Sequence, residues 1–137
     1  MVISLLSTYD IEESKSERLI IELSAVKCGR DFNVTLCGGT RYHVGAMALG
    51  CARPPKKNVE RSANVSVVPV FEHKDDECAR FAAKYLATRL NCVVAVAAGI
   101  HIDDASTEEI TELMALVKNA VERFADEVEK DRKNEQL

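Results

Sequence analysis

The stretch NVSVVPVFEHKDDECARFAAKYLATRLNCVVAVAAGI, residues 64–100, reads as strand, helix, strand, and the fold turns on that reading. NVSVVPVF (64–71) is rich in β-branched residues. Pro69 within it cannot donate to a ladder, which argues for an edge strand or a bulge. From Asp75 onward the period becomes helical: Cys78, Phe81, Ala82, Tyr85, Leu86 and Arg89-Leu90 recur along one side. Asp75 and Asp76 fall in the first turn, where the helix dipole favours negative charge. CVVAVAAGI (92–100) is then a nearly unbroken apolar run, as expected of a strand central in a sheet or covered on both faces. Such a unit closes through a right-handed crossover, so its two strands run parallel and end at the same edge.

Working outward, a capping box, Ser106-x-x-Glu109, opens a last helix with an apolar stripe of Ile110, Leu113, Met114, Val117, Val121, Phe124 and Val128. The tail EKDRKNEQL carries no stripe and is expected to fray from about residue 130. Upstream, RLIIELSAVK (18–27), the turn CGRD and the alternating FNVTLC (32–37) form a hairpin pattern. GGT at 38–40 breaks the chain, and RYHVGAMALGC (41–51) reads as a third strand with Tyr42, Val44, Ala46 and Ala48 on one face. ARPPKKNVERSA is a surface loop. The opening MVISLLSTYDIEESK shows only a short apolar run that turns acidic at once, and receives no element. The order predicts one α+β domain over residues 1–137: a mainly antiparallel β-sheet with a C-terminal β-α-β-α unit and two helices packed on it.

A chain of 137 residues can bury a core without a metal or disulfide staple. A net charge of −4, no Trp and few aromatics exclude a generic nucleic-acid surface. No run approaches the ~20 apolar residues of a membrane helix, and no leader peptide is recognised. Cys28, Cys37, Cys51, Cys78 and Cys92 form no CxxC pair, so reduced thiols in a soluble, cytoplasmic protein are expected.

The site follows from the topology. The strand 64–71 ends in FEHKDD and the strand 92–100 in GIHIDD, so His73 and His101 arrive at one rim, each followed by acids and a helix start. Ligands favour such rims, beside helix N-termini with free N–H groups. If 41–51 pairs antiparallel with 64–71, Arg41 and His43 join the rim on one strand face, and Gly45 leaves room for a ligand. Gly38-Gly39-Thr40 would add flexible backbone donors and a hydroxyl. Arg41, Lys74 and the helix N-termini make an anion seat, while histidines can bond a polar ring edge or carry protons. His73/Asp76 and His101/Asp103 are the pairs that could take a metal, but no segment has metal spacing, and none is predicted. The alternatives are plain: Asp75 or Asp104 caps a helix, the glycines serve turns, Arg41 is a solvated cation.

The motifs LCGGTRYHVGAMALG (36–50), EHKDD (72–76) and VVAVAAGIHIDDASTEEI (93–110) resemble the small D-subunit family of gallate-type decarboxylases, prenylated-flavin chaperone-like proteins. The resemblance covers roughly residues 18–122. It implies a fold similar to the proteasome-assembly chaperones, and a non-catalytic helper that binds or delivers prenylated FMN, or FMN, to a client decarboxylase during maturation. Carried over by resemblance are Gly38, Gly39, His43, Gly45, His73, Asp75, Asp76, His101 and Asp103; Thr40, Arg41, Lys74 and Gly99 stand beside them from the rim argument alone. Ala46, Met47, Ile100 and Tyr42 would have to supply the flavin's apolar wall, with help from a second subunit. A homodimer or higher homo-oligomer is expected, because a small open sheet leaves an edge or face to cover. Two other readings stay open: a dimeric assembly scaffold without a small ligand, and a small enzyme with His101 and Asp103 as acid–base groups. No residue is assigned as catalytic.

Overall fold

The computed structural model describes residues 6–70 and 75–135; His73 and Lys74 of the expected site lie outside them. The elements are β1 (Leu6–Ser14), β2 (Ile20–Cys28), β3 (Asp31–Gly39), β4 (Ala46–Ala52), β5 (Ala63–Pro69), α1 (Asp76–Leu90), β6 (Val93–His101) and α2 (Thr107–Glu135). They form the expected α+β architecture, a six-stranded sheet in the order β1-β2-β3-β6-β4-β5. Every pairing is antiparallel except that of β3 with β6.

The strand–helix–strand reading holds. β5 and β6 run parallel, but as neighbours of β4 on its two sides, each antiparallel to it. Pro69 does lie on an edge strand. The apolar run 92–100 becomes the central strand, with Val94, Val96 and Ala98 fully buried toward the helices. α1 packs on β4, β5 and β6 while α2 packs on β1 and β2, so both helices cover one face. Large helix-side residues such as Ile21, Leu23, Leu36, Leu86, Leu90, Val121 and Phe124 close the core. Tyr9, Phe32 and Phe124 meet edge-to-face at 5.3–6.2 Å between centroids.

Four expectations need correction. The opening segment is a strand: β1 pairs with β2 along its whole length, from Leu6↔Cys28 to Ser14↔Ile20. Its one buried residue is Ile11, so a mostly polar edge strand carries almost no periodic signal. The glycines do not break the chain after residue 37, because β3 continues through Gly38 and Gly39, paired with Ile100 and His101. The third strand begins at Ala46 rather than residue 41. Since β6 lies between β3 and β4, residues 40–45 must step across the end of a strand, roughly 10 Å of sheet width. That crossing is loop despite its alternating sequence. Lastly, α2 stays helical to Glu135. Its last turns hold on polar bonds: Tyr9 Oη donates to Asp131 at 2.7 Å, Arg132 donates to the Leu90 carbonyl at 2.6 Å, and Lys27 pairs with Glu135 at 3.2 Å.

Candidate functional site

The rim gathers the C-terminal ends of β3 and β6, the start of β4, and the first turns of both helices. His43 rides on the crossing loop 40–45, not on a strand face. Its Nε2 donates to Asp75 Oδ2 at 2.9 Å. The other Asp75 oxygen accepts the Ile100 N–H at 2.9 Å, and the Asp75 carbonyl accepts Ala79 N–H at 3.0 Å. Asp75 is 5% exposed, the one buried charged side chain among the described residues. It sits at the N-cap position of α1, yet its side chain makes no cap bond. The carboxylate instead ties the loop, β6 and the helix start together.

Glycine makes this knot possible. A Cβ on Gly45 would collide with Asp75 Oδ2 and come 3.0 Å from His43 Nε2. The room that Gly45 leaves is therefore filled by the Asp75–His43 pair, not left for a ligand. A Cβ on Gly99 would strike the His43 carbonyl, and one on Gly39, at φ +79°, the His101 carbonyl. Gly38 packs equally close to the Ile20 backbone. These glycines serve close approach between chains. The Thr40 N–H is not a free donor either, since it bonds the His101 carbonyl at 2.7 Å.

A second histidine–aspartate pair lies one strand end away. His101 Nε2 donates to Asp103 Oδ1 at 2.9 Å, and the Asp103 N–H donates to Thr40 Oγ1 at 3.1 Å. The hydrogen bond from His101 holds the Asp103 carboxyl below its ordinary value, with Arg41 adding attraction. Arg41 itself is exposed. Arg18, which sequence reasoning left out, donates to the Asp103 carbonyl at 2.7 Å and pairs with Glu109 at 3.1 Å. The capping box forms in both directions, Ser106 N–H to Glu109 and Glu109 N–H to Ser106 Oγ, each at 3.1 Å.

Between these helix starts and the end of β6 opens a cleft of about 450 Å³. Asp75, Glu77 and His101 supply its polar lining, and Cys78, Ile100, Ile102, Ala105, Ile110, Leu113 and Met114 its apolar wall. Of the wall expected from sequence, Ile100 alone is here. Ala46 is wholly buried, Met47 is exposed in register with Ala97 on the helix-free face, and Tyr42 donates to Glu22 at 3.2 Å. Of the wall's other members, Ile102 and Ala105 lie in the turn between β6 and α2, and the rest come from the helix stripes, where Ile110 and Met114 are 51% and 39% exposed. That is the signal available in sequence: large apolar residues at the first turns of a stripe, beyond what the sheet can cover.

The cleft is of ligand size and mostly apolar with a few polar groups, the usual make-up of a small-molecule site. An isoalloxazine-sized ring would fit that wall, with His101 beside its polar edge, while both Asp75 oxygens are already engaged by His43 and the Ile100 N–H. A phosphate fits the described lining less well, since Asp76 and Glu77 occupy the first turn of α1. Burial pushes the Cys78 thiol up to about 11, so it belongs to the wall as a neutral, apolar group. Among the described residues no group of three His, Cys, Asp or Glu side chains is placed to hold a metal.

A single helix layer on an open sheet, with a mostly apolar cleft at the rim, defines a small α+β domain. The chain belongs to the prenylated flavin chaperone LpdD-like domain family, which it matches over residues 15–129. Its fold is also similar to a chain in the crystal structure of a chaperone complex for yeast 20S proteasome assembly. That match has 14% identity and a TM-score of 0.58, and covers 90% of this chain and 98% of the other. No curated protein matches the chain.

Proposed function

We propose that this domain binds prenylated FMN in the rim cleft and passes it to a client decarboxylase during maturation. The observation that carries the reading is the cleft itself: an apolar wall closed at one end by Asp75 and His101, in a chain of the prenylated flavin chaperone family. The ring would lie against Ile102, Leu113 and Met114, and the mouth would stay open for transfer. The protein acts as a carrier, not an enzyme, in the cytoplasm, and works as two copies.

The test is native mass spectrometry after anaerobic addition of FMN and prenylated FMN. The parent should retain the prenylated form, while Met114→Trp, which fills the cleft, and His101→Ala should each weaken retention roughly 10-fold or more. Variants that hold the flavin as the parent does would remove the cleft from consideration. A second reading, an assembly scaffold without a small ligand, draws on the exposed Met47, Leu49 and Val68 of the helix-free face. Under it no flavin mass appears and a client protein co-purifies.

A further inference from the structure

We infer that the groove between α1 and α2, which adjoins the rim cleft, receives the prenyl unit of the modified flavin and sets the preference for it over plain FMN. This rests on the flavin reading above and adds to it the part of the site that selects the ligand.

The groove has a volume of about 220 Å³ and is lined by Glu77, Cys78, Phe81, Met114, Val117 and Lys118. Glu77, Cys78 and Met114 line the cleft as well, so the two spaces meet across the 3.6 Å contact of Cys78 Sγ with Met114 Sδ. Both helices start at the rim, and farther from it Arg89 ties α1 to Glu129 of α2 at 2.8 and 2.9 Å. The groove is the stretch before that clamp. Its wall is hydrocarbon and sulfur. Val117 is buried, and Cys78 is neutral because burial pushes its thiol up to about 11. Phe81 and Met114 remain 37% and 39% exposed, which leaves apolar surface wet directly beside the cleft. Glu77 and Lys118 are exposed residues whose stems can line such a wall while their charges stay in water.

The chemistry of that wall selects among flavins. A prenyl unit is a branched hydrocarbon with no hydrogen-bonding atom, and it is fused to the ring system on the edge opposite the ribityl chain. With the polar edge of the ring at His101, turning the fused edge toward Cys78 and Met114 carries the prenyl unit into the groove. The ribityl phosphate then points away from α1, whose first turn carries Asp76 and Glu77. Plain FMN leaves the groove hydrated, so the wall adds affinity for the prenylated form alone. Phe81 is the aromatic member of this wall, and its partial exposure makes it the residue to change without opening the core.

The experiment titrates the full chain, Phe81→Ser and Phe81→Leu anaerobically with FMN and with prenylated FMN, read by native mass spectrometry, with circular dichroism to check folding. The parent should hold prenylated FMN roughly 100-fold more tightly than FMN. Phe81→Ser should cut that ratio to about 10-fold or less while FMN itself is held as before, and Phe81→Leu should keep it within about 3-fold of the parent. A parent that retains neither flavin would overturn the cleft reading and this inference with it. A parent that holds both flavins equally would overturn the groove alone and leave the cleft standing. So would a folded Phe81→Ser that keeps the parent's ratio or loses both flavins alike.

Discussion

Asp75 occupies the space that Gly45 lacks the side chain to fill. One oxygen receives His43 and the other receives the Ile100 N–H, so a residue in a loop, a residue before a helix and a strand end share one carboxylate. A methyl group at residue 45 cannot coexist with that arrangement.

Gly45→Ala should therefore cost about 2 kcal/mol, by overpacking and by displacing a buried hydrogen-bonded carboxylate. Urea denaturation reads this directly as a lower midpoint at unchanged slope. An unmoved midpoint would mean that Asp75 has a second place to go.

The thiols should divide by burial. Cys78 is pushed to about 11, and burial also raises Cys37 and Cys92, whereas Cys28 and Cys51 are half-exposed. Alkylation near neutral pH, followed by peptide mass mapping, should label Cys28 and Cys51 first. Early labelling of Cys78 would contradict the apolar wall described for the cleft.

Acid should weaken the clamp between the helices. Glu129 takes Arg89 through both oxygens, at 2.8 and 2.9 Å, and this bonding lowers the Glu129 carboxyl from its ordinary 4.5. A lowered folded-state value means that the stabilisation is complete above 4.5 and is lost as pH falls through the folded value. Glu129→Gln should cost about 0.5–1 kcal/mol at pH 7, small because the pair is partly solvated. The gap between parent and variant should close in acid, measured as urea midpoints at neutral and acid pH; a constant gap would count against the ion pair.

The architecture was legible where hydrophobic period and capping agree with the final packing. The strand–helix–strand unit, the edge position of Pro69, the capping box at Ser106 and the arrival of His43, Asp75 and His101 at one rim are all readable this way. The misreadings share a cause: non-local partners. β1 gains its burial from a sheet and helix contributed by later residues, with only Ile11 fully enclosed. Residues 41–45 alternate like a strand but lie at the end of β6, His101, which is itself nearly sixty residues downstream. The cleft wall was missed because Ile110 and Met114 look like any other core positions of α2 until the sheet proves too narrow to cover them.

The position of β6 has a consequence for biosynthesis. The strand that fills the middle of the sheet is the last one translated, after the residues of β1–β3 and of β4–β5, the two parts of the sheet it joins. Until residues 93–101 leave the ribosome, β3 and β4 each face an empty slot with unsatisfied main-chain groups on both sides. The halves should thus be vulnerable to mispairing on the nascent chain, and one late insertion should join them in a single cooperative step.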